Sequence, residues 1–249
     1  MNHFFAGQEQ IGPDGIRITG SDYNHMKNVL RLKPGEEVSV SDGTDRVYRC
    51  EIAAYTETEA LLKIVDIDGA SAELPARVTL YQGIPKGEKF DLIIQKSVEL
   101  GAFRIVPVAM RRCVAKIEPK KEEQKLARFR KIAESAAKQS GRNVIPEIGP
   151  VMAFSQAVEE AAASGGPILF AYEKAENPAE TKAVIDALEP GQEIAVFIGP
   201  EGGFADEEAA LLQEKGAKTI TLGKRILRTE TAPLYILSVI GYGLEFGSL

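Results

Sequence analysis

Two segments combine residue types that could build a small-molecule site. They are Ile198-Gly199-Pro200-Glu201-Gly202-Gly203-Phe204 and Leu222-Gly223-Lys224-Arg225-Ile226-Leu227-Arg228-Thr229-Glu230-Thr231-Ala232. Three glycines around one Pro-Glu pair give a backbone that turns sharply and approaches something flat or bulky, such as an adenine ring. Neither segment is GxGxxG or GxxxxGKS/T, so neither a dinucleotide pyrophosphate turn nor a phosphate-cradling loop is indicated. A ligand without phosphate groups suits the pattern better. A purely structural alternative for the first segment is a tight strand-to-helix turn capped by Asp206.

Other chemistries are disfavoured by what the chain lacks. The only histidines are His3 and His25, too few for a histidine-based metal centre or a Ser-His-Asp arrangement. Cys50 and Cys113 are far apart and belong to no CxxC pair, which fits a reducing cytoplasm. Met1-Asn2-His3-Phe4-Phe5 has neither a cationic nor a long apolar region, so no secretory signal is expected. The apolar tract 232–246 is shorter than the roughly 20 residues of a membrane span and reads as a buried or interface helix. No membrane partner is expected.

The formal net charge is -6, but its distribution is uneven. Residues 104–142 hold twelve Lys/Arg against four Asp/Glu, whereas 143–210 hold two against thirteen. Arg111, Arg112, Lys116, Lys120, Lys121, Lys125, Arg128 and Lys131, with Arg31 and Lys33 nearer the N-terminus, are the cations that could meet an anionic partner. For 120–131 a solvated helix face is the competing explanation, because Glu122 and Glu123 offer intrahelical partners. Arg111 and Arg112 follow an expected strand and are the stronger candidates.

The elements that must position these residues change in rhythm along the chain. Residues 1–72 read as a small β-rich unit, with strand-like runs at 38–40, 47–55 and 60–67. Turn signals lie at Lys33-Pro34-Gly35 and Ser41-Asp42-Gly43, with a helix expected over 21–31 and a boundary at 68–72. Beyond it strands alternate with helices, the pattern of an α/β fold with a mostly parallel sheet. Strands are expected at 77–82, 103–110, 167–172, 193–198 and 219–222. Helices are expected at 90–100, 119–140, 155–163, 178–188, 206–215 and 231–246. Such sheets bind ligands at the carboxyl ends of their strands, where the two glycine-rich segments lie.

Taken with further segments, the pair resembles the SPOUT methyltransferases. The likeness includes Gln95-Lys96-Ser97-Val98-Glu99-Leu100-Gly101, Arg111-Arg112-Cys113, Gln139-Ser140-Gly141-Arg142, and His25 through Val29-Leu30-Arg31 to Pro34-Gly35. It extends over nearly the whole chain. One departure is His3, which precedes Phe4-Phe5 where the family usually carries arginine.

The resemblance implies a small PUA-like β-barrel RNA-binding domain over 1–72. It also implies a SPOUT-type α/β domain with a deep trefoil knot over 73–249, and a homodimer with the C-terminal helix near its interface. The implied cofactor is S-adenosyl-L-methionine, held by Ile198, Gly199, Pro200, Gly202, Gly203, Leu222, Gly223, Ile226 and Leu227, with Leu169 and Phe170 as secondary candidates. Arg228 is the implied catalytic residue, with Glu201 and Glu230 as partners; a structural ion pair between Arg228 and one of these glutamates is the alternative. Implied RNA contacts are Arg31, Lys33, Arg111, Arg112 and Arg142.

The implied reaction is methylation of N3 of a uridine in 16S ribosomal RNA of the small subunit. Competing functions are a SPOUT-fold RNA-binding or assembly protein without catalysis, and a ribose 2′-O-methyltransferase. The latter usually carries an asparagine in its final motif, which 228–231 lacks.

Overall fold

A computed structural model describes residues 1–246 except Asp14, Asp45, Ala70 and Glu176, with Asp68 described in its backbone alone. Ala70, inside the expected boundary at 68–72, thus lies outside the described residues. The chain divides into two compact units, Met1–Glu73 with Ala137–Ile145, and Leu74–Ala136 with Pro146–Leu249.

The first unit holds β1 (Asn2–Phe5), β2 (Gly15–Thr19), β3 (Glu37–Ser41), β4 (Val47–Tyr55) and β5 (Glu59–Asp68) in one sheet of order β1-β3-β4-β5-β2. β1 runs parallel to β3 and the other pairs are antiparallel. Period-two alternation turns Ile16, Ile18, Val38, Val40, Cys50 and Ile52 into one core with Phe4 and Met26. The pairing of β4 with β5 shifts register at Arg49/Cys50 and Ile52/Ala54.

The helix expected over 21–31 is shorter and changes character. α1 (Gly20–Asn24) passes into a π-helical turn, His25–Val29, in which Leu30 N–H donates to His25 O at 2.8 Å. The widened turn accompanies full burial of Met26, and the chain leaves it at Arg31 with φ 55°.

The segment 137–145 joins this unit through specific polar bonds. Ser41 Oγ donates to Asn143 O at 2.5 Å, and Lys138 Nζ lies 2.6 Å from Asp22 Oδ1. Glu73 accepts from Asn143 N–H at 2.9 Å and pairs with the Arg142 guanidinium. No periodicity in the sequence anticipates this excursion.

The second unit is an α/β fold around a parallel sheet of order β12-β10-β11-β6-β7-β8, with β9 also paired to β7. Its strands are β6 (Arg77–Gly83), β7 (Arg104–Ala109), β8 (Glu147–Ile148), β9 (Met152–Ala153), β10 (Ile168–Ala171), β11 (Glu193–Ile198) and β12 (Lys218–Ile220). β8 and β9 were not expected, since two residues carry no pattern.

Five of the six β11 residues are buried, as in strands covered on both faces. Among the chain's helices, α2 (Lys89–Glu99) and α5 (Pro178–Asp186) pack on α7 (Ala232–Phe246), while α4 (Phe154–Ala163) packs on α6 (Asp206–Glu214). α3 (Pro119–Ser140) is the longest helix among the described residues. Phe197 stacks on Tyr81 at 4.5 Å between centroids and shares a core with Phe170, Val158 and Leu212. Among the described residues no helix is long and apolar enough to cross a membrane.

Candidate functional site

Because β6, β10, β11 and β12 are mutually parallel, their carboxyl ends and the loops that follow lie at one end of the sheet. There the second unit has a cavity of about 810 Å³. Ile198, Gly199, Pro200, Glu201, Gly203, Leu222, Gly223, Ile226, Leu227 and Arg228 line it, together with Lys89, Tyr172, Glu173 and Thr229. Most of the residues expected at a cofactor site are thus brought together.

The two glycine-rich loops are tied by a buried polar relay. Gln82 Nε2 donates to Thr229 Oγ1 at 3.0 Å, and Thr229 Oγ1 donates to Gly199 O at 2.8 Å. Gln82 is fully buried and its Oε1 has no donor among the described residues. Next to it, an added Cβ on Gly83 would sit 2.6 Å from the Pro200 ring, so glycine is what lets the first loop cross the end of β6.

Polar groups also fix where the loops end. Gly203 N–H donates to Pro200 O at 2.9 Å, with Gly203 at φ 67°. α6 then starts from Ala205, whose N–H is accepted by Glu208 Oε2 at 2.8 Å, and Glu208 Oε1 accepts from Arg111 N–H at 2.7 Å. The expected cap, Asp206, instead bonds to Lys174 and Tyr172. At the other loop Thr231 N–H and Ala232 N–H both donate to Arg228 O and open α7.

Charge at the cavity is organised by Lys89, which the sequence reading missed. Its Nζ lies 3.0 Å from Glu201 Oε1 and 3.3 Å from Glu230 Oε2. Glu201 Oε1 also accepts from Lys86 N–H at 3.1 Å. Burial works against the Glu201 carboxylate, yet its own backbone N–H, Lys89 and Lys86 hold its pKa below the usual value. Both glutamates are therefore committed to Lys89, and Arg228 is exposed with no ion pair among the described residues. The structural ion pair considered for Arg228 is not formed.

Several other expected site residues fall elsewhere. Leu169 and Phe170 are fully buried in β10 and do not line the cavity, because the parallel ladder encloses them on both sides. Gly202 also lies off the cavity wall, and a Cβ there would meet Arg112 Cβ at 3.0 Å. Ile226 stands at the cavity rim with 91% of its surface exposed, so it is not a buried wall.

Arg142 is only 2% exposed and paired with Glu73, which removes it from any surface a phosphate could reach. Arg31 and Lys33 are exposed on the first unit. Arg111 pairs with Glu207 at 2.7 Å, and Arg112 Nη1 donates to Gly202 O at 3.0 Å. His3, standing where arginine was expected, is buried on β1 with Nδ1 2.8 Å from Ser39 Oγ. Burial holds its pKa below the ordinary value.

Comparison with known proteins agrees with this architecture. Residues 72–241 match the RNA methyltransferase domain family, and residues 18–65 match the RNA methyltransferase PUA domain family. The chain is 36% identical over 231 residues to ribosomal RNA small subunit methyltransferase E of Bacillus subtilis, covering 92% of this chain and 90% of that protein. It is 33% identical to the Synechocystis protein of the same name, covering 95% of this chain and 76% of that one. The crystal structure of ribosomal RNA small subunit methyltransferase E from Neisseria gonorrhoeae, bound to S-adenosyl methionine, superposes with a TM-score of 0.83 at 31% identity, covering 96% of each chain. The two tied glycine loops and the parallel sheet beneath them therefore belong to a chain of the ribosomal RNA small subunit methyltransferase E family.

Proposed function

We propose that this protein transfers a methyl group from S-adenosylmethionine to N3 of a uridine in the 16S ribosomal RNA of the small subunit. The observation that carries the reading is the Gln82–Thr229–Gly199 relay, which joins two glycine-rich loops into one wall of an 810 Å³ cavity. That volume is within the range of small-molecule sites. The residues present fit the cofactor: Ile198, Gly199, Pro200, Leu222, Gly223 and Leu227 offer backbone and aliphatic walls for adenine, with Gly203 at the turn. Glu173 offers a carboxylate to its cationic part. When bound, the cofactor supplies an electrophilic methyl group.

The protein's own side chains prepare the nucleophile. N3 lies on the Watson–Crick edge, so the uridine must leave its pairing or stacking before it reaches the cavity. Loss of the N3 proton to solvent water spreads negative charge onto the flanking carbonyl oxygens. Arg228, at the cavity and without an ion pair among the described residues, stabilises that charge without acting as a base. Glu201 and Glu230 support the site by holding Lys89; Glu201, already hydrogen-bonded and held ionised, is a poor proton acceptor.

The same reading assigns residues 1–72 to a PUA-like β-barrel that binds RNA through Arg31 and Lys33, and residues 73–249 to a SPOUT domain whose C-terminal segment is knotted. Arg111 and Arg112 add RNA contacts from the second. Exposed Tyr235, Tyr242 and Phe246 on α7 suit the interface of a homodimer. The protein works in the cytoplasm, where its substrate is made. The test is mass spectrometry of nucleosides from unmodified small subunits incubated with enzyme and cofactor. 3-Methyluridine is expected; label on ribose, on another base, or nowhere would overturn the assignment.

A further inference from the structure

The cations around the cavity fall into two groups. Lys89 pairs with Glu201 and Glu230, Arg111 with Glu207 and Lys174 with Asp206, while Arg112 donates to Gly202 O. Lys224, Arg225 and Arg228 lie within five residues of one another on the cavity wall, and among the described residues none of them makes an ion pair or a side-chain hydrogen bond. This is unpaired positive charge in a chain whose net charge is -6.

Between these cations stands Ile226, 91% exposed, the most exposed large hydrophobic residue among the described residues. From Lys224 to Leu227 the backbone makes no hydrogen bond to the rest of the chain among the described residues, whereas the flanking Gly223 and Arg228 do. The segment is therefore an open rim bearing donors, an apolar side chain and fixed positive charge, anchored at both ends.

We propose that Lys224, Arg225 and Ile226 form the seat of the extruded nucleotide. Lys224 and Arg225 neutralise the phosphates flanking the target, and Ile226 packs against the face of its base, so that the base edge is presented to Arg228. This deepens the methyltransferase reading and rests on it. It also moves Ile226 from the cofactor wall to the RNA. The occupant is single-stranded RNA because it offers what the rim lacks: negative charge at short intervals with a flat apolar face between. An acidic protein segment would satisfy the cations but would not require an apolar residue at the same place.

The test uses the full chain as Lys224→Ala/Arg225→Ala, Ile226→Ala and Ile226→Leu. Cofactor Kd is measured by calorimetry, affinity for a single-stranded uridine-containing oligonucleotide across a salt series, and kcat and KM on unmodified small subunits. The segment is exposed, so all three variants are expected to fold, with unfolding temperatures near wild type.

The double variant should raise KM for subunits and Kd for the oligonucleotide about tenfold, with the salt slope falling by roughly 1.4, two contacts at about 0.7 each for single strands. Cofactor Kd should stay within about twofold. Ile226→Ala should lower turnover roughly tenfold, in the range of a lost base-stacking contact, and Ile226→Leu should restore most of it. An unchanged salt slope in the double variant overturns the phosphate assignment. A rise in cofactor Kd matching the turnover loss in Ile226→Ala returns that side chain to the cofactor wall. A raised KM on subunits with unchanged oligonucleotide affinity points to a ribosomal protein and also refutes the proposal. Failure of the underlying methyltransferase reading is distinct: the wild-type enzyme itself would bind no cofactor or leave uridine unmethylated.

Discussion

Thr229 donates its hydroxyl to the carbonyl of Gly199 at 2.8 Å, thirty residues earlier in the chain, and accepts from Gln82 at the same oxygen. One hydroxyl thus closes two hydrogen bonds in a buried place. Thr229→Val keeps the shape and removes both, leaving a buried carbonyl and a buried amide short of a partner. The expected cost is about 1–3 kcal/mol in stability, with a rise of at least tenfold in cofactor Kd. Thr229→Ser should recover most of each. Thermal unfolding and calorimetry check the pair.

The Lys89 cluster gives the protein a pH signature. The Glu201 pKa is depressed, so its contribution is present above the ordinary value of 4.5 and lost as pH falls through the lowered one. Lys89 is raised by Glu201, against partial burial and with help from Glu230, so its contribution is present below 10.5 and lost as pH climbs through the raised value. Lys89→Met should therefore reduce the fall in the urea midpoint on acidification from pH 7 to about pH 3, relative to wild type. Equal slopes for both proteins would refute the coupling.

Gly202 and Gly203 look interchangeable in sequence, yet substitution should separate them. Gly203 has φ 67°, where an L-residue costs roughly 1–2 kcal/mol, and it lines the cavity. Gly203→Ala should lower stability by about that amount and weaken cofactor binding. Gly202→Ala crowds Arg112 instead and should leave cofactor Kd within a few-fold. Comparable losses of affinity would contradict the placement.

Gly83→Ala tests how closely the first loop crosses β6. The new methyl would lie 2.6 Å from Pro200, so the loop must shift, at a cost of about 1–3 kcal/mol as for other overpacked sites. Loss of cofactor binding in a protein that still unfolds cooperatively is the expected result.

Arg228→Lys preserves charge and loses the planar fork that matches two carbonyl oxygens. Turnover on small subunits should fall by at least tenfold while cofactor Kd stays nearly constant. A parallel change in both quantities would assign Arg228 to cofactor binding.

Much of this arrangement is written locally. The apolar run of β11 and the glycines that follow it identify a buried strand feeding a tight loop, and both are where the pattern suggests. Lys89 carries no local signal because it opens α2 after an ordinary turn, Lys86-Gly87-Glu88, and its partner Glu201 is 112 residues away. Arg142 misled for the opposite reason. It stands in a motif that resembles a functional one, and only the fold reveals that Glu73 neutralises it. Ile226 is an apolar residue beside apolar Leu227, so its exposure could not be anticipated from residue type.

The excursion of 137–145 into the first unit has a consequence for synthesis. A chain emerging from the ribosome has all five strands of that unit available once Asp68 is out, but Glu73 then carries a carboxylate whose buried guanidinium partner is still untranslated. The N-terminal sheet must wait for roughly seventy further residues, several seconds at ordinary elongation rates, before Ser41 and Glu73 meet Asn143. The first part of the protein to be made is therefore not the first to be finished, and a fragment ending near residue 73 would carry the strands of this unit without the segment that completes it.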